Sequence, residues 1–521
     1  MRDVPLRPPD AGAQQRITAA ATHRAEIARQ LAASRGADEQ WVAIQGELSP
    51  GQRALRTEQA LDSSADVVSG ALLPTDHAGG RRGGVELLVR TGHGYVPVIV
   101  VRHRINDPGE GALTTALTDL DPDNAVVDRQ RKPRSQPRDQ LRLAHLRRML
   151  QAAGHAEPHR AFGGVIGLDA DVVAWQDLES PTWPGGRSTL AEYDARFGDR
   201  LAVARAAEAR ADALAQPSRI LECRSCPWWD TCGPELHRIS DVSLVARGDA
   251  ATQLREAGVA TVHQLAALDP AADAPVNWNS GTFVDMVALA KAWLADLTVV
   301  RRVREVTAPR ADVELDVDME NFGDSGAYLW GCLLSGVDIG LEPGYHSFAT
   351  WDPLPSKDEA RSFAEFWAFL SEVRSRAQQR GLSFSAYCYN ALAENRWLYN
   401  SVDRFAGMPG VPDRSEVKEF VDSDEWVDLF RTVSESFLCA RGKGLKVVAP
   451  VAGFHWRDDE AGGEASMRWY QDAVGMNGTA PDTAQRERLV HYNEDDVRAT
   501  QVLRSWITAN ANHEVPYMGD L

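Results

Sequence analysis

Asp312 to Glu320 read D-V-E-L-D-V-D-M-E, so Asp312, Glu314, Asp316, Asp318 and Glu320 alternate strictly with Val313, Leu315, Val317 and Met319. Period-two alternation predicts a strand with one apolar face and one carboxylate face. Carboxylates two positions apart on such a face are separated by roughly 7 Å. Lining them up is costly unless something positive neutralises them. A solvated edge strand is one reading. Divalent cations held by hard oxygen ligands is the other.

Two later segments favour cations. A helix is predicted around Arg486 to Trp506, and within it Tyr492 and Asp496 are four apart and share a face. His491 lies five before Asp496 and is read as a surface residue. Asp495 lies about 100° from Asp496 around the helix and is expected to be exposed. Asp316 is a candidate supporting acid. Between these elements Tyr387 to Glu394 reads as a strand running into a helix, with Asn390 and Glu394 again four apart. Trp330, Phe366, Trp367 and Phe369 sit at core spacings.

Taken together, these segments resemble the ribonuclease H-like exonuclease superfamily with its Asp-x-Glu, Asn-x-x-x-Asp and Tyr-x-x-x-Asp motifs, over about residues 312 to 510. The resemblance implies that Asp318, Glu320, Glu394 (in place of the usual Asp) and Asp496 bind two Mg or Mn ions. It also implies that Tyr492 orients the attacking water. Two such cations about 4 Å apart generate a hydroxide and stabilise both oxygens of an in-line displacement at phosphorus. Val427-Asp428-Leu429, Gly444-Leu445-Lys446 and Gly463-Glu464-Ala465-Ser466 with Trp469-Tyr470 look like segments of a family ending in a YprB-like ribonuclease H-type domain. Lys446 is read either as a phosphate contact or as a surface lysine.

The N-terminal half resembles a RecB-like PD-(D/E)xK nuclease. Glu86 stands for its first acid and Gln140 for the glutamine of the following helix. The strand Val98-Ile99-Val100-Val101-Arg102 lacks the acid-x-lysine pair, so the domain reads as degenerate. From Arg129 to Arg148 there are eight basic residues (Arg129, Arg131, Lys132, Arg134, Arg138, Arg142, Arg147 and Arg148) against Asp139 alone. They form either a solvated basic face or a phosphate-binding platform. Strands are expected at Val85–Val89, Tyr95–Val101 and Gly164–Trp175, and helices at 136–153 and 188–214.

Cys223, Cys226 and Cys232 follow directly and resemble the cluster of RecB-like nucleases that hold iron and sulphur. With no cysteine before Cys223 and with His237 five after Cys232, a Cys3His zinc site, an iron-sulphur cluster and no metal all stay open. Trp228 and Trp229 read as packing around that site. Ser243 to Asp269 resembles a helix-hairpin-helix-like segment, with a break at Ala257-Gly258-Val259, although Arg247-Gly248-Asp249 replaces the usual Gly-x-Gly hairpin.

At 521 residues the chain is too long for one ordinary core. Its 44% hydrophobic and 25% charged residues describe a folded protein. A net charge of -18 argues against coating nucleic acid by bulk attraction but not against local handling of it. Met1-Arg2-Asp3-Val4-Pro5 lacks a secretory apolar run and nothing reads as a membrane span, so cytoplasmic residence is expected. The expected architecture is α/β and multidomain. It comprises residues 1–220 RecB-like, 221–240 the cysteine cluster, 241–310 a helical segment and 311–521 a ribonuclease H-like domain.

The order as a whole looks like that of bacterial RecB-family nucleases. The implied function is a metal-dependent 3'-5' exonuclease on single-stranded DNA, with DNA favoured over RNA as the partner. A non-catalytic nucleic-acid-binding scaffold and a ribonuclease are the alternatives.

Overall fold

Alternating apolar residues build an eight-stranded and a five-stranded sheet in this chain, beside two short two-stranded ribbons. The computed structural model describes residue 4 and residues 6–34, 40–275, 282–460, 462–476 and 478–521. Met1, Arg2, Asp3 and Pro5, read above for a leader, lie outside those residues, as do 35–39. The chain divides into two units, Gln14–Gln216 and Met1–Ala13 with Pro217–Leu521. Among the described residues no helix is long and apolar enough to cross a membrane.

The first unit is an eight-stranded mixed sheet. Its strands are β1 (Trp41–Ala43), β2 (Val67–Leu72), β3 (Gly84–Arg90), β4 (Tyr95–Val100), β5 (Ala112–Ala116), β6 (Val126–Asp128), β7 (Phe162–Ile166) and β8 (Val172–Asp177). Their order is β1-β2-β3-β4-β7-β8-β5-β6. Helices α1 (Ala11–Ala33), α2 (Pro50–Asp62), α3 (Pro137–Ala152) and α4 (Thr189–Glu208) accompany it. Ile27 and Leu31 of α1 pack with one set of sheet residues, whereas Leu143, Leu146 and Leu150 of α3 pack with another.

Two expectations change here. The single strand over Gly164–Trp175 is an antiparallel pair, β7 and β8, because Ala170 takes a positive φ of 52° and turns the chain. The helix capped by Ser188, whose side chain accepts from Ala191 N–H, ends at Glu208, short of Leu214. The helix expected at 136–153 is α3, and the basic residues before it lie outside that helix: Arg131–Pro133 pairs with Asn106–Pro108 in a short ribbon.

In the second unit, α5 (Trp229–Arg238), α6 (Asp249–Glu256), α7 (Val262–Ala266) and α8 (Phe283–Leu294) share a small core of Leu236, Val242, Leu254, Leu265 and Val287. Gly258, at φ 85°, makes the turn between α6 and α7. After them come β9 (Val299–Arg301), β10 (Val313–Asn321), β11 (Ala327–Gly336), β12 (Gly344–Ala349), α9 (Asp358–Gln379), β13 (Phe384–Cys388), α10 (Ala391–Arg404), β14 (Trp426–Asp428), β15 (Phe437–Cys439), α11 (Gly463–Val474) and α12 (Thr483–Ala509). The sheet order is β12-β11-β10-β13-β14, with β12, β11 and β10 antiparallel and β10, β13 and β14 parallel.

The acidic segment is therefore the central strand, not an edge. Val313, Leu315, Val317 and Met319 bury one face of β10 against Phe363, Phe366, Leu370 and Trp397. Trp330 stacks on Phe366 at 4.6 Å, and Trp367 is buried in the same core, so these aromatics pack as expected. Helix α12 crosses the carboxylate face and presents Asn493, Asp496, Thr500 and Arg504, all buried and at helical spacings, in one stripe.

Candidate metal centre on the central strand

The carboxylates of β10 meet quite different partners along its length. Arg504 is fully buried. Its guanidinium pairs with Glu314 and donates to Asp316 Oδ2 at 2.7 Å. Arg310 adds bonds to both Glu314 oxygens at 2.7 and 2.9 Å. Burial pushes the Glu314 carboxyl up, but the two arginines outweigh it and hold the group at about 2. For Asp316 burial wins over Arg504 and the carboxyl rises to about 6. Asp316 is thus tied to an arginine as a structural ion pair. Asp312, at the end of the segment, accepts from Ser383 N–H and Oγ.

Two residues further on, the arginines stop. Oxygens of Asp318, Glu320 and Asp496 all lie within 4.8 Å of one another, the one group of three or more such donors among the described residues. Burial raises the Asp318 carboxyl well above its ordinary range, and the neighbouring charges of Asp496, Glu320 and Glu394 add to it. Burial first and then Asp496 push Glu320 up to about 8. Asp496 is raised too, chiefly by burial, against Lys446 and Trp456. Like charges this close cannot all ionise in a dry site unless cations join them.

Each acid is also held by neutral donors. Asn493 Nδ2 donates to Asp318 Oδ2 at 2.7 Å, Ser466 Oγ to Glu320 Oε2 at 3.2 Å and Trp456 Nε1 to Asp496 Oδ1 at 2.7 Å. Lys446 Nζ lies 2.9 Å from the Tyr492 hydroxyl and 4.4 Å over its ring. Lys446 is exposed as a residue, yet its ammonium reaches the Tyr492 phenol.

Glu394, in the first turn of α10, is buried and close enough to act on Asp318, but it stands outside the 4.8 Å set. Its Oε2 is buried with no hydrogen-bond partner, and burial followed by the charge of Asp428 raises it to about 8. A buried, unpartnered carboxylate oxygen beside three more carboxylates is a donor set suited to hard divalent cations. Asn390 does not share a helix face with Glu394: it is the N-cap of α10, at φ 76°, and its N–H donates to Asp428.

His491 is exposed, as expected. Asp495 is not: it is 4% exposed and takes both the backbone N–H and the guanidinium of Arg457 at 2.9 and 2.7 Å. Helical phase put Asp495 on the outer side of α12, but the chain before α11 folds back over it. Asn493, Tyr345, Trp456 and Arg504 were not read from the sequence. Asn493 alone carried a signal, an amide beside Tyr492 on the same helix.

The expected sites of the N-terminal half are differently occupied. Glu86 accepts from Arg142 Nη2 at 2.9 Å on both oxygens, so an arginine stands where a cation would be needed. Arg131 pairs with Asp128 and Asp171, Arg134 lies 3.8 Å from Asp107, and Arg148 pairs with Asp194. Arg147 is buried and donates to the Glu157 carbonyl. Acids from neighbouring strands and loops thus offset much of the segment, while Arg129, Lys132 and Arg138 are exposed. Cys223, Cys226 and Cys232 are free and half-buried and form no closed donor set with His237. His237 stacks on Trp293 at 6.0 Å, because five residues along α5 put it about 140° around the helix from Cys232. Trp229 joins the helical core, whereas Trp228 is 39% exposed.

A mixed sheet whose central strand and closing helix converge buried carboxylates defines a ribonuclease H-like domain at the C-terminal end. The RNase H superfamily model matches residues 375–508, which includes Glu394, Tyr492 and Asp496 but not the strand bearing Asp318 and Glu320. That match suggests a metal-dependent nuclease with nucleic acid as its substrate. No curated protein and no solved structure matches the chain.

Proposed function

We propose that this domain is a 3'-5' exonuclease on single-stranded DNA, with two Mg or Mn ions held by Asp318, Glu320, Glu394 and Asp496. The observation that carries the reading is the convergence of three buried carboxylates within 4.8 Å, with the orphaned Glu394 oxygen beside them. Bound there, the cations would supply Lewis-acid activation of a water and neutralise charge at the phosphoryl group. Tyr492 keeps its proton, because burial and the neighbouring carboxylates push its phenol far up, so it can orient the water by hydrogen bonding. Lys446 fixes that phenol and is placed to meet a phosphate oxygen. In the N-terminal unit Arg129, Arg131, Lys132, Arg134, Arg138 and Arg142 would attract nucleic acid electrostatically, less strongly where acids engage them, as at Arg131, Arg134 and Arg142.

The test is hydrolysis of single-stranded DNA labelled at either end, by the full chain with Mn2+. Shortening should run from the 3' end, and Asp318→Asn and Asp496→Asn should each lower the rate by at least about 100-fold, since even loss of a ligand's supporting partner commonly costs 10–100-fold. Activity surviving both changes would sink the reading, and faster cleavage of RNA would shift it to a ribonuclease. One observation favours a non-catalytic scaffold: Glu394 stands outside the close set. A scaffold would retain the oligonucleotide with no cation-dependent turnover.

A further inference from the structure

Asp318 is held by a residue outside the carboxylate set. Across the strand pair it faces Gly331 of β11, and through the space above that glycine Asn493 of α12 reaches it. A Cβ at position 331 would lie 1.6 Å from Asn493 Oδ1 and 3.0 Å from Tyr345 Cε2. A side chain at 331 is therefore incompatible with the amide where it stands. The glycine sits inside a ten-residue strand, where a side chain would otherwise help packing, so its use here goes with the close approach.

The amide is oriented by chemistry at both ends. The Tyr345 hydroxyl donates to Asn493 Oδ1 at 2.8 Å, and Asn493 Nδ2 donates to Asp318 Oδ2 at 2.7 Å. An ionised carboxylate only accepts, so the NH2 end must face it. Asn493 is fully buried and cannot exchange these partners for water. One oxygen of Asp318 is thereby committed to a neutral donor, which leaves the other for a cation.

We propose that Asn493 is a positioning residue for the metal centre: held by Tyr345 and admitted by Gly331, it fixes the rotamer of Asp318 so that a single oxygen faces the cation. The proposal rests on the reading of Asp318 as a ligand. It implies that this acid binds through one oxygen, and that the chain Tyr345, Asn493, Asp318 sets affinity without touching the ion or the nucleic acid.

The experiment is calorimetric titration of Mn2+ into the full chain without nucleic acid, beside thermal melts in chelator. Asn493→Leu keeps the volume and removes both bonds. It should weaken Mn2+ binding by about 10–100-fold, the usual effect of losing a ligand's outer partner, while the melt in chelator is kept. Tyr345→Phe, at the half-buried end, should cost a few-fold in the same direction. Should Asn493→Leu fail to fold, Tyr345→Phe decides. Wild-type affinity in the variant that folds overturns the role of Asn493, whereas a wild-type chain that binds no Mn2+ overturns the metal centre and this proposal with it.

Discussion

The Lys446 ammonium donates to the Tyr492 hydroxyl at 2.9 Å, and Tyr492 lies four residues before Asp496 on the same helix. The phenol is therefore fixed by a cation on one side and by its helix on the other. Lys446→Met should lower kcat by about 10²-fold, the common cost of removing one well-placed donor at a reacting centre. Mn2+ affinity measured by calorimetry should change far less than kcat. A Lys446→Met enzyme with normal kcat would show that the phenol needs no such support.

The raised carboxyls give metal-free stability a definite pH dependence. Glu320 and Glu394 have an ordinary value of 4.5 and stand at about 8 in the folded chain. Between those values the folded state binds more protons than the unfolded one, so their contribution is present below about 4.5 and is lost as pH rises through about 8. In chelator, the Tm should fall from pH 5.5 to pH 8.5. Mn2+ should restore it more at pH 8 than at pH 6, since cations replace the protons. A metal-free Tm that climbs across this window would contradict the site as described.

Arg504 answers two acids at once from a fully buried position. Arg504→Met leaves Glu314 and Asp316 facing each other with one arginine fewer. Breaking a buried ion network by removing one partner costs about 3–5 kcal/mol. Urea unfolding should show a loss of that size, and a loss below about 1 kcal/mol would mean the acids relax to water or protonate at little cost.

In the N-terminal unit Arg142 occupies both oxygens of Glu86. Glu86→Gln should leave Mn2+-dependent cleavage within about twofold of wild type, the scatter expected of a substitution outside the carboxylate set that does the chemistry. Loss of cleavage in that variant would move the chemistry to the N-terminal unit.

Much of this arrangement could be read from spacing. The alternation of β10 gave its two faces, and the four-residue step from Tyr492 to Asp496 gave their shared side of α12. What spacing could not give is which carboxylates are already neutralised. Asp316 meets Arg504 from 188 residues away, and nothing local marks that pairing. The same blindness put Asp495 in solvent, although Arg457 covers it, and counted Arg131, Arg142 and Arg148 as a basic face although acids from other elements offset them. Asn390 was misplaced for a different reason: a helix starting one residue later turns the same spacing into a cap.

The most direct measurement is an anomalous-diffraction map from crystals of the full chain grown with Mn2+. Two peaks about 4 Å apart, bounded by Asp318, Glu320, Asp496 and Glu394, are the expected result. A map with no peak there, or with the Lys446 ammonium turned in among the acids as their counter-charge, would contradict the account.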